Sequence, residues 1–426
     1  MIGRYPSSAA ADSAPMKNGK IVVLHVITRF IGGGADENTV YTLQGLAAKD
    51  RQLECFLAGG IQSDLTMLKK LHGRLPFIIL PNLYRDITPF DDWLALCSLI
   101  RLCRKTQCDI LHTHTAKAGI LGRIAGKIAG VPVIVHTLHG STFHPFVSRP
   151  ARLTYRHLEK LTARFCNRII SVSSVLAKSY VSQGVGRPDQ YVTVYSGMPL
   201  KKFLNVTSPK TKLLQSLGIR PDEKVVGTVC QLEPRKGLPF FLAMAKAVKE
   251  NIPDCKFLIV GKGDQRQELE AGAAKLGMAK DVIFTGYRDD VPDLLSIVHV
   301  FVLTSLWEGL PRVLVQAAAA AKPLVAFNVD GVPEIVKDAY NGYLVRPKDV
   351  NRLVDRVLYL LRNPQIARAM GTRGREMVGR QWTIDAMVSQ THTIYRSLVS
   401  QKIHGIRQYR ETETEPHNSI GTASQG

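Results

Sequence analysis

Three short stretches of this chain hold residue types suited to a phosphate or a sugar hydroxyl. Gly32-Gly33-Gly34 follows an apolar, β-branched run and opens a helical pattern. Glycines at that junction let a phosphate approach backbone N–H groups at the positive end of a helix; a tight strand-to-helix turn uses the same residues. Arg235-Lys236-Gly237 sets two cations between a strand and a helix. A lysine point charge beside a planar guanidinium suits a diphosphate, and a solvated basic pair is the plainer alternative. Ser305-Leu306-Trp307-Glu308-Gly309-Leu310-Pro311 joins the strand-like HVFVL to the helical VLVQAAAAA. Glu308 there either caps the helix or accepts two sugar hydroxyls. Gln316, eight residues on, stands about two turns along the same helix.

Other patterns are excluded by spacing. Neither the Gly32 stretch nor Gly261-Lys262-Gly263-Asp264 completes a G-x-G-x-x-G fingerprint, and GRIAGKI at 122–128 is not a P-loop. His112, His114, His136, His139 and His144 gather near expected strand ends. Such a group invites a metal, but no cysteine or carboxylate completes a ligand set, and the expectation is no metal.

These residues must be held by a repeating scaffold. KIVVLHVITRF, ECFLAG, FIILPN, DILHTH, VPVIVHTLHG and RIISVS read as buried strands, each followed by a helical segment, and YVTVYSGMPL closes the series. A second series runs through KVVGTVCQL, CKFLIVGKGD, VIFTGY, VHVFVLTS, KPLVAFN and GYLVRP. Strands alternating with helices predict doubly wound parallel sheets. The fold class is therefore α/β, with two Rossmann-like units facing a cleft: residues 20–205, then 206–402 with a C-terminal helix near Thr383–Ser400. Residues 1–19 and 403–426 are polar or small and are expected to be disordered. In such folds ligands bind beyond the carboxyl ends of the strands, where all three stretches lie.

The chain has 426 residues, enough for two cores. No apolar run reaches the roughly 18 residues of a membrane-spanning helix. The N-terminal stretch lacks the apolar core of a signal peptide. Seven cysteines without a C-x-x-C pair fit reduced thiols in a cytoplasm. Charge is the outlier: 56 Lys and Arg against 35 Asp and Glu give +21. Residues 1–205 carry 26 basic and 12 acidic side chains, a net +14, and the remainder carries +7. No nucleic-acid-binding pattern accompanies the charge.

The order of these motifs resembles the retaining nucleotide-sugar glycosyltransferases of family 4, with the GT-B fold, over about Lys20 to Leu398. HVITRFIGGGADENTVYTL, DILHTHTAKAGILGRIAG and HTLHGSTFHPF look closest to bacterial members that build capsular and other cell-surface polysaccharides. The resemblance implies that Gly33 and Gly34 approach the donor diphosphate and that His139 lies beside the donor sugar. It implies that Lys236 holds the diphosphate and that Glu308 contacts the donor hexose. Gly309 and Leu310 would face the phosphates, with Gly261 and Gly263 near the nucleotide. His139, Lys236 and Glu308 are the expected catalytic residues. The chain departs from the family at four positions: Gln231 for an arginine, Gln316 for the second motif acid, Ala321 and Asp330 for glycines. Arg235 is a neighbouring substitute for the arginine. The implied co-substrate is a UDP- or GDP-type sugar, without metal or other cofactor.

The acceptor is expected on the first unit, with Glu37, His114 and Lys117 as candidates. Arg149, Arg152, Arg156, Lys160 and Arg164 recur every three or four residues on an amphipathic helix. One use of such a helix is an anionic membrane surface; a solvated face is the alternative. A lipid-linked glycan acceptor makes the membrane reading coherent, with the protein peripheral on the inner face of the cytoplasmic membrane. A nucleotide-sugar 2-epimerase and a non-catalytic homologue in an assembly complex are the competing readings.

Overall fold

The apolar runs form two all-parallel sheets in the computed structural model, which describes residues 19–64, 76–144, 147–204, 210–379 and 381–404. The helix expected between the second and third strands falls on 65–75, outside the described residues. So do the 205/206 boundary and most of the two polar ends. The first sheet contains β1 (Ile21–Ile27), β2 (Leu53–Gly60), β3 (Phe77–Leu80), β4 (Ile110–His114), β5 (Val133–Leu138), β6 (Arg168–Ser171) and β7 (Tyr191–Thr193), in the order 3-2-1-4-5-6-7. The second contains β8 (Lys224–Val229), β9 (Cys255–Val260), β10 (Val282–Gly286), β11 (Val300–Leu303), β12 (Leu324–Phe327) and β13 (Gly342–Val345), in the order 10-9-8-11-12-13. In each sheet the order reverses beside the first strand. That switch point opens a crevice at the strand ends.

Both faces of the first sheet are covered, so its central strands β1, β4 and β5 are buried along nearly their whole length rather than alternating in exposure. Val22, Leu24, Val26 and Leu111 face the helices Pro89–Thr106 and Ala116–Ala129. Val23, Ile27, Ile110, Val133 and Val135 face the opposite side. Each fully buried side chain of this kind contributes about 1.5–3 kcal/mol.

That opposite side is covered by the helix Gly34–Lys49 and by the C-terminal helix Ile384–Val399. The C-terminal helix follows the second series in sequence, and the sequence grouped it with residues 206–402. The structure corrects this in space, for its apolar face belongs to the first unit. Met387, Val388, Tyr395, Leu398 and Val399 recur at helical spacing and complete that core. Gly45 permits the contact, since a Cβ there would lie 2.3 Å from Val388 Cγ2. A hydrogen bond from His392 Nε2 to Asp50 (2.7 Å) and the ion pair Arg396–Asp50 (2.5 Å) fix its far end.

The basic helix is Arg149–Ala163. It is anchored by Glu159, whose carboxylate meets Arg123 at 2.7 Å with both side chains buried.

Candidate active site

The second sheet contributes ions. The chain after β8 turns at Pro234–Lys236 and reverses at Gly237, where φ is +61° and a Cβ would meet the Thr304 carbonyl at 2.3 Å. Thr304 Oγ1 donates to the Lys236 carbonyl (3.0 Å), and the Leu306 N–H donates to the Arg235 carbonyl (2.8 Å). The loops after β8 and β11 are thereby locked together. Lys236 Nζ lies 2.5 Å from Glu308 Oε1, and Arg235 lies 3.5 Å from Oε2. Glu308 is 5 % exposed and Lys236 9 %. Burial alone would raise the Glu308 pKa, but the charges of Lys236 and Arg235 and the bond from Lys236 hold it below the ordinary value. Arg235 also pairs with Glu233 at 2.6 Å and lies over the Trp307 ring, which His144 stacks against.

Asp330, one of the glycine departures, sits at φ +40° and accepts the Glu308 N–H at 2.7 Å. Burial raises its pKa, the Glu308 charge adds to this, and that N–H bond opposes it. Ala321, the other departure, lies at φ +53°. Both non-glycine residues keep the left-handed backbone that glycine adopts without steric cost.

The first sheet contributes neutral groups. Strand alternation puts His25, His112, His114 and Thr137 on one face and Thr113 and His136 on the other. His139, two residues beyond Thr137, reaches back to His114, with Nε2 3.0 Å from His114 Nδ1. His114 Nε2 is 2.9 Å from His25 Nδ1. Burial pushes His25 and His139 down to about 3 and His112, His114 and His136 well below their usual value. The nitrogens of His25, His112 and His114 lie within 4.8 Å of one another. Yet the His25 and His112 rings are each stacked or tilted against His114, and all six nitrogens are engaged in hydrogen bonds. In this arrangement His25 and His114 bond each other, and the three rings between them bond Tyr395, Thr137 and His139.

The two halves meet directly. A Cβ on Gly309 would lie 2.0 Å from the His139 carbonyl, so this glycine lets Glu308 approach the histidine loop. Arg312, at the start of the helix Arg312–Ala319, spans the interface. It bonds Glu37 (2.6 Å), Ser196 Oγ (2.6 Å) and the Gly34 carbonyl (3.4 Å). Glu334 Oε1 accepts the Val175 N–H at 3.0 Å.

The expected site residues divide accordingly. His139, Arg235, Lys236, Glu308, Gly309 and Leu310 line the junction, and Arg312 brings Gly34 to it. The Gly33 N–H, expected to face a diphosphate, is committed to the Asp36 carboxylate at 2.9 Å, because Asp36 caps its own helix. Gly261 and Gly263 pack against the chain that holds Gln231: a Cβ on either would lie 1.8 and 2.3 Å from the Cys230 and Leu232 carbonyls. Gln231 itself is exposed, and Gln316 is half-buried one turn beyond Arg312. Lys117 is buried and bound to Asp92 and to the Asp86 carbonyl, which ties it to a neighbouring loop; His114 is internal to the histidine network.

Residues 32–202 match the family described as Glycosyltransferase Family 4, and residues 209–377 match Glycosyl transferases group 1. An Escherichia coli protein, UDP-Gal:alpha-D-GlcNAc-diphosphoundecaprenol alpha-1,3-galactosyltransferase, is 30 % identical over 352 residues, 80 % of this chain and 91 % of that protein. The chain belongs to the family 4 glycosyltransferases. The Staphylococcus aureus capsular polysaccharide biosynthesis glycosyltransferase CapM is 23 % identical over 80 % of this chain and 90 % of its own. Among solved structures, Anabaena Alr3699/HepE in complex with UDP-glucose aligns with a TM-score of 0.75 at 23 % identity, covering 88 % of this chain and all of that one. That likeness establishes the GT-B fold.

Sequence reasoning missed Arg312, Asp36 and Tyr395. Arg312 left a trace, since an arginine at the positive end of a helix is unfavourable without a partner. Asp36 stands three residues into a glycine-opened helix, a capping position. Tyr395 left none.

Proposed function

We propose that this glycosyltransferase moves a hexose-type sugar, with retention, from a nucleoside-diphosphate sugar to a polyprenyl-diphosphate-linked glycan during cell-surface polysaccharide assembly. The observation that carries the reading is the buried Lys236–Glu308 pair beside His139. Breaking the anomeric bond puts negative charge on the diphosphate and positive charge on the sugar. Preorganised donors at the leaving group are then the largest expected catalytic term. Lys236, Arg235 and the backbone of Gly309–Leu310 supply them, and Glu308 takes hydroxyls of the hexose. Positive charge from the protein serves where other transferases use a metal. Retention follows from front-face attack, the leaving phosphate oxygen accepting the acceptor's proton. UDP is favoured as the carrier, in line with the E. coli relative's named donor and the UDP-glucose held by HepE.

The acceptor reading is supported by the first unit's surface. Leu153 and Leu161 are 49 % and 47 % exposed on the helix that carries Arg149, Arg152, Arg156, Lys160 and Arg164. Ile87, Phe90 and Trp93 are also exposed, at the start of the helix two places away. Apolar side chains flanked by cations suit a peripheral seat on an anionic leaflet. No described helix is long and apolar enough to cross a membrane.

A thermal-shift panel of nucleotide sugars, followed by incubation of the stabilising donor with a short-chain polyprenyl-diphosphate sugar, tests the reading. Transfer with an α-configured product from an α-configured donor is expected. Turnover without acceptor to an isomeric nucleotide sugar would establish the epimerase instead, and silence toward every donor the non-catalytic homologue. Replacing Arg152, Arg156 and Lys160 with Glu is expected to weaken binding to anionic liposomes; unchanged binding would remove the membrane seat.

A further inference from the structure

Six groups on one face of the first sheet form an unbroken hydrogen-bonded line. Thr137 Oγ1, His112, the Tyr395 hydroxyl, His25, His114 and His139 follow one another at 2.6, 2.5, 2.8, 2.9 and 3.0 Å. The first five are at most 3 % exposed, so no bulk water competes for these bonds. Tyr395 is supplied by the C-terminal helix and bridges the two histidines that β1 and β4 place side by side.

A neutral imidazole has one N–H and one lone pair, and a phenol has one O–H. Both nitrogens of His112, His25 and His114 are engaged, so each ring donates in one direction and accepts in the other. Setting the proton at one link sets every link. In one arrangement all protons point toward Thr137, and His139 is the Nε2–H tautomer with a lone pair on Nδ1. In the other all point toward His139, and Nδ1 carries the proton. Burial keeps the four rings uncharged at neutral pH, the state this counting requires.

Tyr395 selects between them. Its oxygen is 2.5 Å from His112 Nδ1 and 2.8 Å from His25 Nε2. An O–H donor makes a shorter bond than an N–H donor. The phenol therefore donates to His112 and accepts from His25. His139 Nδ1 has no partner among the described residues, and the ring is half-buried at the junction of the two units.

We propose that Tyr395 is a positioning residue that holds His139 as the Nε2–H tautomer, so that Nδ1 offers a lone pair to a hydroxyl hydrogen of the donor sugar. The inference rests on the reading that His139 borders that sugar. It makes a residue of the C-terminal helix, remote in sequence, the determinant of what the site asks of the donor: a hydroxyl that can donate.

The test is a long-range ¹⁵N–¹H correlation on the full chain labelled at histidine, without substrate, with the His139 signals assigned by their loss in His139→Asn. The expected pattern is protonated Nε2 and unprotonated Nδ1 at His139. Tyr395→Phe is expected to turn it into a mixture while His392, bound to Asp50, keeps its pattern. Thr137→Val, which removes the far end without changing volume, is expected to do the same. In kinetics, Tyr395→Phe should lower kcat/KM for the sugar nucleotide roughly tenfold, the scale of one hydrogen bond, with nucleoside-diphosphate affinity unchanged. A wild-type His139 protonated on Nδ1, or a Tyr395→Phe protein with the wild-type tautomer, overturns the proposal. The tautomer is read without donor, so its failure is distinct from failure of the transfer reading. The latter appears as the expected tautomer with no response to any sugar nucleotide, which overturns the sugar-hydroxyl assignment alone.

Discussion

The two sheets share a strand order and carry opposite chemistry at equivalent places. The ends of β8 and β11 present Lys236, Arg235 and Glu308, ions that compensate one another. The ends of β1, β4 and β5 present histidines that stay neutral and bond in series. Lys236 and Glu308 are buried, as are His25, His112 and His114. Ions out of water need a partner at contact distance, whereas neutral rings need only one donor and one acceptor each. The ionic half can therefore be broken by losing a single partner. The neutral half is broken by adding a proton anywhere along it.

The largest expected effect is on the ionic half. Lys236→Ala should lower kcat by about 10²–10³, as loss of a preorganised donor does elsewhere. It should also lower the melting temperature, because buried Glu308 loses its nearer partner and keeps only Arg235 at 3.5 Å. The double variant Lys236→Met/Glu308→Leu should recover most of the melting temperature and none of the activity. Recovery of both in steady-state assays would show that the pair is structural.

The neutral half should fail first in acid. A group whose folded pKa is depressed contributes stability that is complete above its unfolded value and is lost as pH falls through the folded one. For His25 and His139 that window runs from 6.5 to about 3. His112, His114 and His136 share its upper edge, with burial the main cause and neighbouring histidines or Arg123 adding to it. Each such group takes away on the order of 1.4 kcal/mol of stability per pH unit as pH falls below 6.5. Urea unfolding between pH 7 and 5 should thus show several protons taken up per molecule unfolded. Glu308, also depressed, matters only below its unfolded value of 4.5. Stability that does not change between pH 7 and 5 would erase the distinction between the halves.

A smaller effect is expected where the halves touch. Arg312→Ala removes the bonds to Glu37 and Ser196 that join them. It should cost about 1–2 kcal/mol and raise the radius of gyration in small-angle scattering. The smallest is a gain. Ala321→Gly releases a left-handed alanine and should stabilise the fold by roughly 0.5–1 kcal/mol, seen as a rise of a few degrees in melting temperature. Asp330→Gly should not repeat it, because Asp330 also accepts the Glu308 N–H.

Much of this was readable in the chain itself. Short β-branched runs alternating with amphipathic segments specify parallel strands under helices, and glycine-rich loops after strands locate the crevice. The family resemblance pointed to His139, Lys236 and Glu308, each in the loop that follows a strand. The basic helix was visible from its three-to-four-residue spacing. These features are local: backbone periodicity and neighbouring residues settle them.

What the chain order left open was which distant side chains would share a bond. His112 and Tyr395 are 283 positions apart, Glu37 and Arg312 275. The C-terminal helix reads as part of the second unit by position and belongs to the first by contact. Gly33 and Lys117 have the right chemistry for ligands and are already bound within the protein. Helical and strand periods say which face a residue occupies. They do not say which other face will be pressed against it, because that is decided by how whole sheets and helices pack to bury apolar surface. The ionic pair, the interface arginine and the direction of the histidine line were fixed only by that packing.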